Sequence, residues 1–195
     1  MTPDSPTAAF IDWWFAPWRG GGPALFDACQ GELARRDAYR DWCCQAGLAP
    51  DLPRQADWRW QAAAALEPDL LLRAAALFGG LLAARAQHHA ELAQLAPDAR
   101  RWCLAVALTQ PLAQWLPDTA QALAPARRGL AEFALRAEQA VPGLWPRLAL
   151  GLAPELAPGL AQSGRPAGAH RLSERDRRCW MLCVGHAGAS TINDS

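Results

Sequence analysis

The sequence contains no lysine, so arginine alone supplies the positive charge of this 195-residue chain. Its 19 basic residues balance 19 acidic ones. A protein that binds nucleic acid normally needs a basic face for the phosphate backbone. Binding to an anionic membrane surface likewise needs a cluster of basic residues. The charge balance therefore argues against both kinds of partner.

Apolar β-branched residues are almost as scarce. Valine occurs only at Val106, Val141 and Val184, and isoleucine only at Ile11 and Ile192. Alanine and leucine, which favour helices, dominate the apolar positions, and 16 prolines divide the chain into short segments. We therefore predict an all-α fold, a compact irregular bundle of about seven to nine helices broken by prolines, with no significant sheet.

Long apolar runs are also missing. The most apolar stretch extends from Ala74 to Ala84 between Arg73 and Arg85, and it is shorter than the roughly 20 residues that a membrane-spanning helix needs. The first residues, MTPDSPT, include no basic residue, unlike the start of a secretory signal. We therefore expect a cytoplasmic protein with no direct membrane insertion.

Proline, glycine and the spacing of apolar residues predict where the helices lie. The predicted segments run from about Pro23 to Ala46, through Trp58 and Trp60 to Glu67, from a cap at Asp69 to about Leu95, from Pro97 to Thr109, from Pro125 to Val141, after Gly143, and from Ser173, with a further short element at Pro111–Leu116. Ser173 and Asp176 resemble a capping box. We predict an aromatic segment at 1–22 that packs on the body, a single helical domain at 23–187 and a disordered tail at 188–195.

Two of these segments carry a clear apolar stripe that should face the core. The stripe residues are Leu71, Ala74, Ala75, Phe78 and Leu82 in the first, and Leu130, Phe133, Ala134, Ala137 and Val141 in the second. Within the first segment, the adjacent glycines Gly79 and Gly80 permit either a close contact between helices or a local kink.

Cys179, Cys183 and His186 share one face of the last predicted helix, and Cys103 could complete a zinc site. Structural zinc sites usually place paired ligands on turns. The same spacing also matches an amphipathic stripe that includes Leu182. We favour core packing and therefore predict no metal ion and no cofactor.

Other chemical motifs are lacking. The sequence has no nucleophile elbow, phosphate-binding loop, dinucleotide fingerprint or EF-hand loop. Side chains of the adjacent His88 and His89 would point about 100° apart on a helix, so we expect solvated or capping residues near a helix C-terminus. The six cysteines are expected to be free thiols. The protein is therefore predicted not to be an enzyme.

Tryptophan, in contrast, is abundant, with ten residues in the chain. Tryptophan suits both core margins and protein interfaces, because its large ring carries one polar N–H group. Core packing is the simpler interpretation for Trp102 and Trp115. Six residues are the candidate protein-contact residues, although core packing is an open alternative for them too: Trp13, Trp14, Trp18, Arg19, Trp58 and Trp60.

Two functions are consistent with these patterns. The first is a scaffold that joins larger assemblies through aromatic surfaces. The alternative is a helical small-molecule sensor or ligand-binding domain with an aromatic-lined pocket. An enclosed cavity lined by tryptophans would favour the sensor, and a packed interior with aromatic patches outside would favour the scaffold.

Three stretches resemble the SctK (YscK-like) family of bacterial type III secretion systems. They are FIDWWFAPWR at 10–19, LLLRAAALFGGLLAARAQ at 70–87 and RRGLAEFALRAEQAVPGLWPRLALGLAP at 127–154. The resemblance implies a non-enzymatic adaptor of the cytoplasmic sorting platform. It implies two partners, a SctQ-type pod protein and the cytoplasmic domain of the SctD-type inner-membrane ring protein. It also implies a location at the cytosolic face of the inner membrane, through a protein partner.

Overall fold

The computed structural model describes residues 5–16, 31–110, 112–116, 124–153, 156 and 171–192. These residues contain nine helices and no strand, so the predicted all-α class is confirmed. The helices are α1 (Ala8–Phe15), α2 (Glu32–Gln45), a 3₁₀ helix (Trp58–Ala65), α3 (Pro68–Arg85), α4 (His89–Leu92), α5 (Pro97–Thr109), α6 (Pro125–Ala140), α7 (Leu144–Ala149) and α8 (Glu174–Ile192).

Helix α3 lies at the centre of the fold, where it packs against α5, α6 and α8. Its contact with α6 brings the two backbones together. A Cβ atom added to Gly79 would overlap the carbonyl oxygen of Pro125. One added to Gly129 would overlap the carbonyl oxygen of Ala75. Glycine is therefore required at both positions. Of the two roles predicted for the glycine pair, Gly79 has the first, a close contact between helices.

The apolar stripes predicted on α3 and α6 both face the core. Every member is buried, namely Leu71, Ala74, Ala75, Phe78, Leu82, Leu130, Phe133, Ala134, Ala137 and Val141. They belong to one large apolar cluster that also includes side chains of α1, the 3₁₀ helix, α7 and α8. No described helix, including the apolar α3, is long and apolar enough to cross a membrane.

The predicted helix start is correct for α8 and wrong for α3. The amide of Ser173 donates to Oδ2 of Asp176 at 2.9 Å, and the amide of Asp176 donates to Oγ of Ser173 at 3.2 Å. These bonds form the predicted capping box before α8. At α3 the N-cap is Glu67, without a side-chain cap bond, and Asp69 lies in the first turn. A carboxylate there is favoured by the helix dipole.

The C-terminus of α3 was also predicted wrongly, since the helix ends at Arg85 and not near Leu95. The chain reverses at Gln87, whose φ is 59°. The amide of His88 then donates to the carbonyl oxygen of Ala83 at 2.9 Å, which closes a Schellman turn. The position with positive φ is usually glycine, so glutamine gave no sequence signal for this turn.

Helix α8 continues through Ile192, so the disordered tail predicted from residue 188 is wrong as far as residue 192. Residues 193–195 lie outside the described part of the chain. The buried face of α8 carries Cys179, Trp180, Cys183 and Ala187. Leu182, which was predicted on that face, is 39% exposed.

The other predicted segments agree in part with the structure. The 3₁₀ helix, α5, α6 and α7 occupy their predicted positions. Helix α2 is the described part of the segment predicted from Pro23, because residues 17–30 lie outside the description. Residues 112–116, predicted within a short element, are not helical.

A second and smaller apolar cluster forms on α2. It contains Tyr39 and Cys43 of the helix together with Leu48, and Ala38 and Trp42 pack against it. Because this cluster is separate from the main core, contacts outside that core must attach it to the rest of the fold.

Candidate protein-interaction surface

Helix α1 divides its aromatic side chains between the core and the surface. Phe10 and Trp14, one turn apart, are 3% and 0% exposed, whereas Trp13 is half-buried and Phe15 is 38% exposed. Thr7 caps the helix and its amide donates to Oε1 of Gln61 at 2.7 Å. The aromatic segment is thereby attached to the 3₁₀ helix, with which α1 packs.

Phe10 is the centre of an aromatic cluster that reaches the surface. Its ring centroid lies 5.6 Å from those of Trp13 and Trp14 and 5.8 Å from that of Trp58. Trp13 and Trp58 are only half-buried. Large aromatic rings that pack on the fold with one side and expose the other are typical of the residues that dominate binding energy in interfaces.

An ion-pair network borders this cluster. Nη2 of Arg59 lies 2.6 Å from Oδ2 of Asp57, and its Nη1 lies 2.6 Å from Oε2 of Glu174. The hydrogen bond from Arg59 lowers the pKa of Asp57 although burial opposes it. Asp57 and Arg59 flank Trp58 in sequence, so charged groups lie beside this half-buried ring, as in the polar rim of interfaces.

The six candidate contact residues separate into three groups. Trp14 and Trp60 are 0% and 2% exposed, so they are core residues and not surface contacts. Trp13 and Trp58 retain exposed ring area. Trp18 and Arg19 lie outside the described residues. We name the remaining pair, Trp13 and Trp58, the aromatic surface.

Arg147 of α7 packs against the buried ring of Trp14. Its guanidinium carbon lies 3.7 Å from the centroid of the Trp14 ring, a cation–π contact. Its Nη2 donates to the carbonyl oxygen of Ala49 at 2.5 Å and to the hydroxyl of Tyr39 at 3.1 Å. Arg147 therefore joins α1, α7 and the α2 cluster at one point.

A second exposed surface lies on α5 and was missed in the sequence. Leu104 and Leu108, one turn apart, are 43% and 85% exposed, and Ala105 between them is also exposed. The buried side of α5 is instead formed by Cys103 and Ala107. The four-residue spacing of the leucines could have indicated a second apolar face. We name Leu104, Ala105 and Leu108 the α5 surface.

Helix α6 carries buried charges that the apolar stripe did not predict. Arg128, Glu132 and Arg136 follow one another at four-residue spacing and are each 0% exposed. Arg136 pairs with Glu132, and its Nε lies 2.8 Å from Oδ1 of Asp176 at the start of α8. We name these four residues the ionic ladder. It connects α6 and α8 through the interior.

The ionic ladder also holds residues 112–116 against α6. The amides of Trp115 and Leu116 donate to Oε1 of Glu132 at 3.0 and 2.8 Å. Nη2 of Arg136 donates to the carbonyl oxygen of Ala113 at 2.5 Å. Because backbone groups in this non-helical segment lack helical partners, buried side chains satisfy them.

The two adjacent histidines follow the C-terminus of α3, as expected, but their side chains have different surroundings. His89 is exposed, but Nδ1 of His88 lies 3.1 Å from Nη1 of Arg128 and 3.0 Å from Oε1 of Glu91. Arg128 also pairs with Glu91 at 2.7 Å. His89 is thus solvated, whereas His88 caps the end of α3 through its amide and has a half-buried side chain within an ion network.

The residues weighed as zinc ligands lie in an apolar setting. Burial raises the pKa of the Cys103 thiol to about 12 and that of Cys183 well above its usual range. Protonated thiols are poor metal ligands. The ring of His186 stacks on Trp102 at 4.5 Å. Among the described residues no group of three or more potential ligands could hold a metal ion, and the five described cysteines are free thiols.

A cleft of about 450 Å³ opens between α1 and α2. The aromatic rings that line it are those of Phe15 and Tyr39. It is open to solvent, and no tryptophan is among its described lining residues, so it differs from the enclosed tryptophan-lined cavity expected of a sensor.

Comparison of the chain with protein-family models, curated proteins and solved structures gives no match. The resemblance to SctK proteins therefore depends on the three sequence stretches, and membership stays a prediction. In the structure, the described part of the first stretch lies in and just after α1, the second covers most of α3, and the third covers most of α6 and all of α7.

Proposed function

We propose that this protein is a non-enzymatic adaptor of a type III secretion sorting platform. It connects a SctQ-type pod protein to the cytoplasmic domain of a SctD-type ring protein, and it lies at the cytosolic face of the inner membrane through that second partner. The identity of the partners comes from the resemblance in the stretches that form α1, α3, α6 and α7.

The observation that carries the adaptor proposal is the presence of two separate apolar surfaces. The aromatic surface is formed by α1 and the 3₁₀ helix, which pack on each other. The α5 surface belongs to a helix that packs on α3. Leu108 at 85% exposure has no structural use within the described fold. Clustered exposed apolar side chains commonly mark contact sites for other proteins.

The charges in the interior support the same function. A connector must keep its two surfaces at a constant separation, which requires a well-defined core. The ionic ladder ties α6, α8 and residues 112–116 together through directional bonds. Such networks favour one arrangement of the helices over others, in addition to the apolar packing.

The test is co-purification of the chain with each partner, using paired surface variants. Trp13→Ala with Trp58→Ala should weaken binding of one partner by about tenfold or more, and Leu104→Ser with Leu108→Ser should weaken binding of the other similarly. Leu33→Ser is the matched control, because Leu33 is 77% exposed on α2 and lies on neither surface.

Thermal unfolding of each variant separates lost contact from lost fold. The surface variants should keep the melting temperature of the wild type to within a few degrees, because they remove mostly exposed area. Failure of the wild-type chain to bind either partner would contradict the proposal. Loss of both partners in the Leu33→Ser control would show that the two surfaces have no special part in binding.

A ligand-binding domain is the second candidate function. Only the volume of the cleft between α1 and α2 favours it, since that volume falls in the range of small-molecule sites while the open shape of the cleft does not match them. Equilibrium dialysis with mononucleotides and other small anions would reveal such a function, and equal ligand concentrations on both sides of the membrane would exclude these ligands.

A further inference from the structure

The cleft between α1 and α2 has a charged rim as well as an aromatic floor. Arg35 and Arg36 line it from one turn of α2 and Arg40 lines it from the next, and all three are exposed. Their side chains form no hydrogen bond or ion pair with other described residues, unlike Arg59, Arg101 and Arg177, each of which has a carboxylate partner. The positive charge of this rim is therefore available to a ligand.

The floor of the cleft is held in place before any ligand arrives. The Phe15 and Tyr39 rings meet edge to face at 5.7 Å. The Tyr39 hydroxyl donates to the carbonyl oxygen of Pro50 at 2.9 Å and accepts from Arg147 at 3.1 Å. Phe15 remains 38% exposed. A preorganised apolar floor lowers the entropic cost of binding.

The charges around the cleft indicate an anionic ligand. Among the described lining residues, three arginines stand against one carboxylate, Asp51. Asp37 and Asp41 are also exposed on α2 but are not among the lining residues. The excess of two positive charges is local, since the whole chain is neutral. Nucleic acid would need a wider basic surface than this one cleft supplies.

The shape of the cleft favours a peptide over a small molecule. Small-molecule sites usually bury most of the ligand surface in an enclosed cavity. This cleft is open, so a small anion would remain largely hydrated. An extended peptide can instead cross the opening, place one apolar side chain on the floor and present carboxylates to the arginines at the rim.

We propose that the cleft between α1 and α2 is a docking site for an acidic segment of a partner protein. Carboxylates of the segment pair with Arg35, Arg36 and Arg40, and one aromatic side chain packs against Phe15 and Tyr39. The site is distinct from the aromatic surface and from the α5 surface, so it does not depend on the adaptor assignment.

Fluorescence anisotropy with the full chain tests this site directly. The probe is a fluorescein-labelled peptide of twelve residues, ten glutamates and two phenylalanines, with a lysine and phenylalanine peptide as the charge control. Reversing Arg35, Arg36 and Arg40 to glutamate together should weaken binding about tenfold or more. Phe15→Ala should weaken it about fivefold and leave the salt dependence unchanged.

The control variant reverses the same number of charges elsewhere. Arg73, Arg85 and Arg175 are exposed on α3 and α8 and do not line the cleft. Changing these three to glutamate should leave peptide affinity within about twofold of the wild type, apart from the general effect of net charge. Circular dichroism confirms that both triple variants are folded.

Three results would overturn the proposal. One is an equal loss of peptide binding in both triple variants, because the change in net charge would then explain the loss. Another is equal affinity for the lysine peptide. The third is that inorganic phosphate or a mononucleotide binds and is lost with the rim arginines while the acidic peptide does not bind, which would make the cleft a small-anion site.

Discussion

The regions around Arg136 on α6 and Arg147 on α7 both bury a guanidinium group, but they balance its charge by different means. Arg136 is 0% exposed and pairs with two carboxylates, Glu132 and Asp176. Arg147 is 4% exposed and, among described residues, has carbonyl and hydroxyl oxygens and the ring of Trp14 as its partners. The first region therefore contains opposite charges that depend on each other, and the second does not.

This difference predicts how the stability of each region would respond to removal of its arginine. Removing one member of a buried ion pair leaves an uncompensated charge, which costs more than the pair contributes. Removing a lone guanidinium leaves only neutral acceptors without partners. We therefore expect the ionic ladder to determine global stability and the Arg147 region to determine how α1 and α2 attach.

Arg136→Met should have the largest effect. It keeps much of the side-chain volume but leaves Glu132 and Asp176 buried without a counter-charge, so the free energy of unfolding should fall by about 3–5 kcal/mol. Urea unfolding followed by circular dichroism measures it. Arg178→Met, an exposed position on α8, is the control and should change stability by less than about 0.5 kcal/mol. Equal losses in the two variants would contradict a special role for the ladder.

Arg147→Met should cost less, about 2 kcal/mol, because it leaves neutral oxygens unpartnered and loses the contact with Trp14. Its effect should also be more local. Hydrogen exchange should increase in α1 and α2 while α3 and α6 keep their protection. A uniform increase through all helices would show that this region is as central as the ladder.

The ladder should also make stability depend on acid pH. Burial by itself raises the pKa of Asp176, but hydrogen bonds from Ser173 and Arg136 outweigh it, so the pKa lies below its ordinary value. A lowered pKa stabilises the fold above the ordinary value, and this stabilisation is lost as the pH falls through the folded value. The stability difference between wild type and Asp176→Asn should therefore shrink as the pH falls below the ordinary pKa of aspartate, about 3.9. A difference that stays constant with pH would contradict this role.

The smallest expected effect is a shift in the titration of Tyr39 in the Arg147 region. The titration can be assigned directly, because Tyr39 is the single tyrosine of the chain. Burial, together with a hydrogen bond to Cys43, raises its pKa to about 12, although Arg147 opposes the shift. Since the neutral form is favoured in the fold, its contribution to stability is present below a pH of about 10 and is lost above it. Ultraviolet titration should show a midpoint near the raised value in the folded chain and near the ordinary one in urea. A folded-state midpoint at the ordinary value would mean that the α2 cluster is open.

Most helices could be predicted because the residues that begin a helix and set its apolar face lie close together in the sequence. Proline opens α3, α5 and α6, and Ser173 with Asp176 begins α8. The apolar spacing on α6 identified Leu130 and Phe133 as buried. The end of α3 was missed because Gln87 occupies a position where glycine is the usual signal.

The surfaces were harder to predict than the helices. Trp13 and Trp14 are adjacent and chemically identical, yet one is half-buried and the other is fully buried. Only the rotation of α1 on the 3₁₀ helix decides between them. The same holds for Leu104 and Leu108, whose exposure depends on which side of α5 meets α3.

The sequence by itself determined the all-α class, the starts of most helices and the apolar stripes, because propensity and periodicity act over a few residues. Tertiary structure decided which charges are buried. Arg136 can be buried because Asp176, forty residues later in the chain, comes within 2.8 Å of it. The free energy of a buried charge depends on partners that are distant in sequence, and no local pattern reports them.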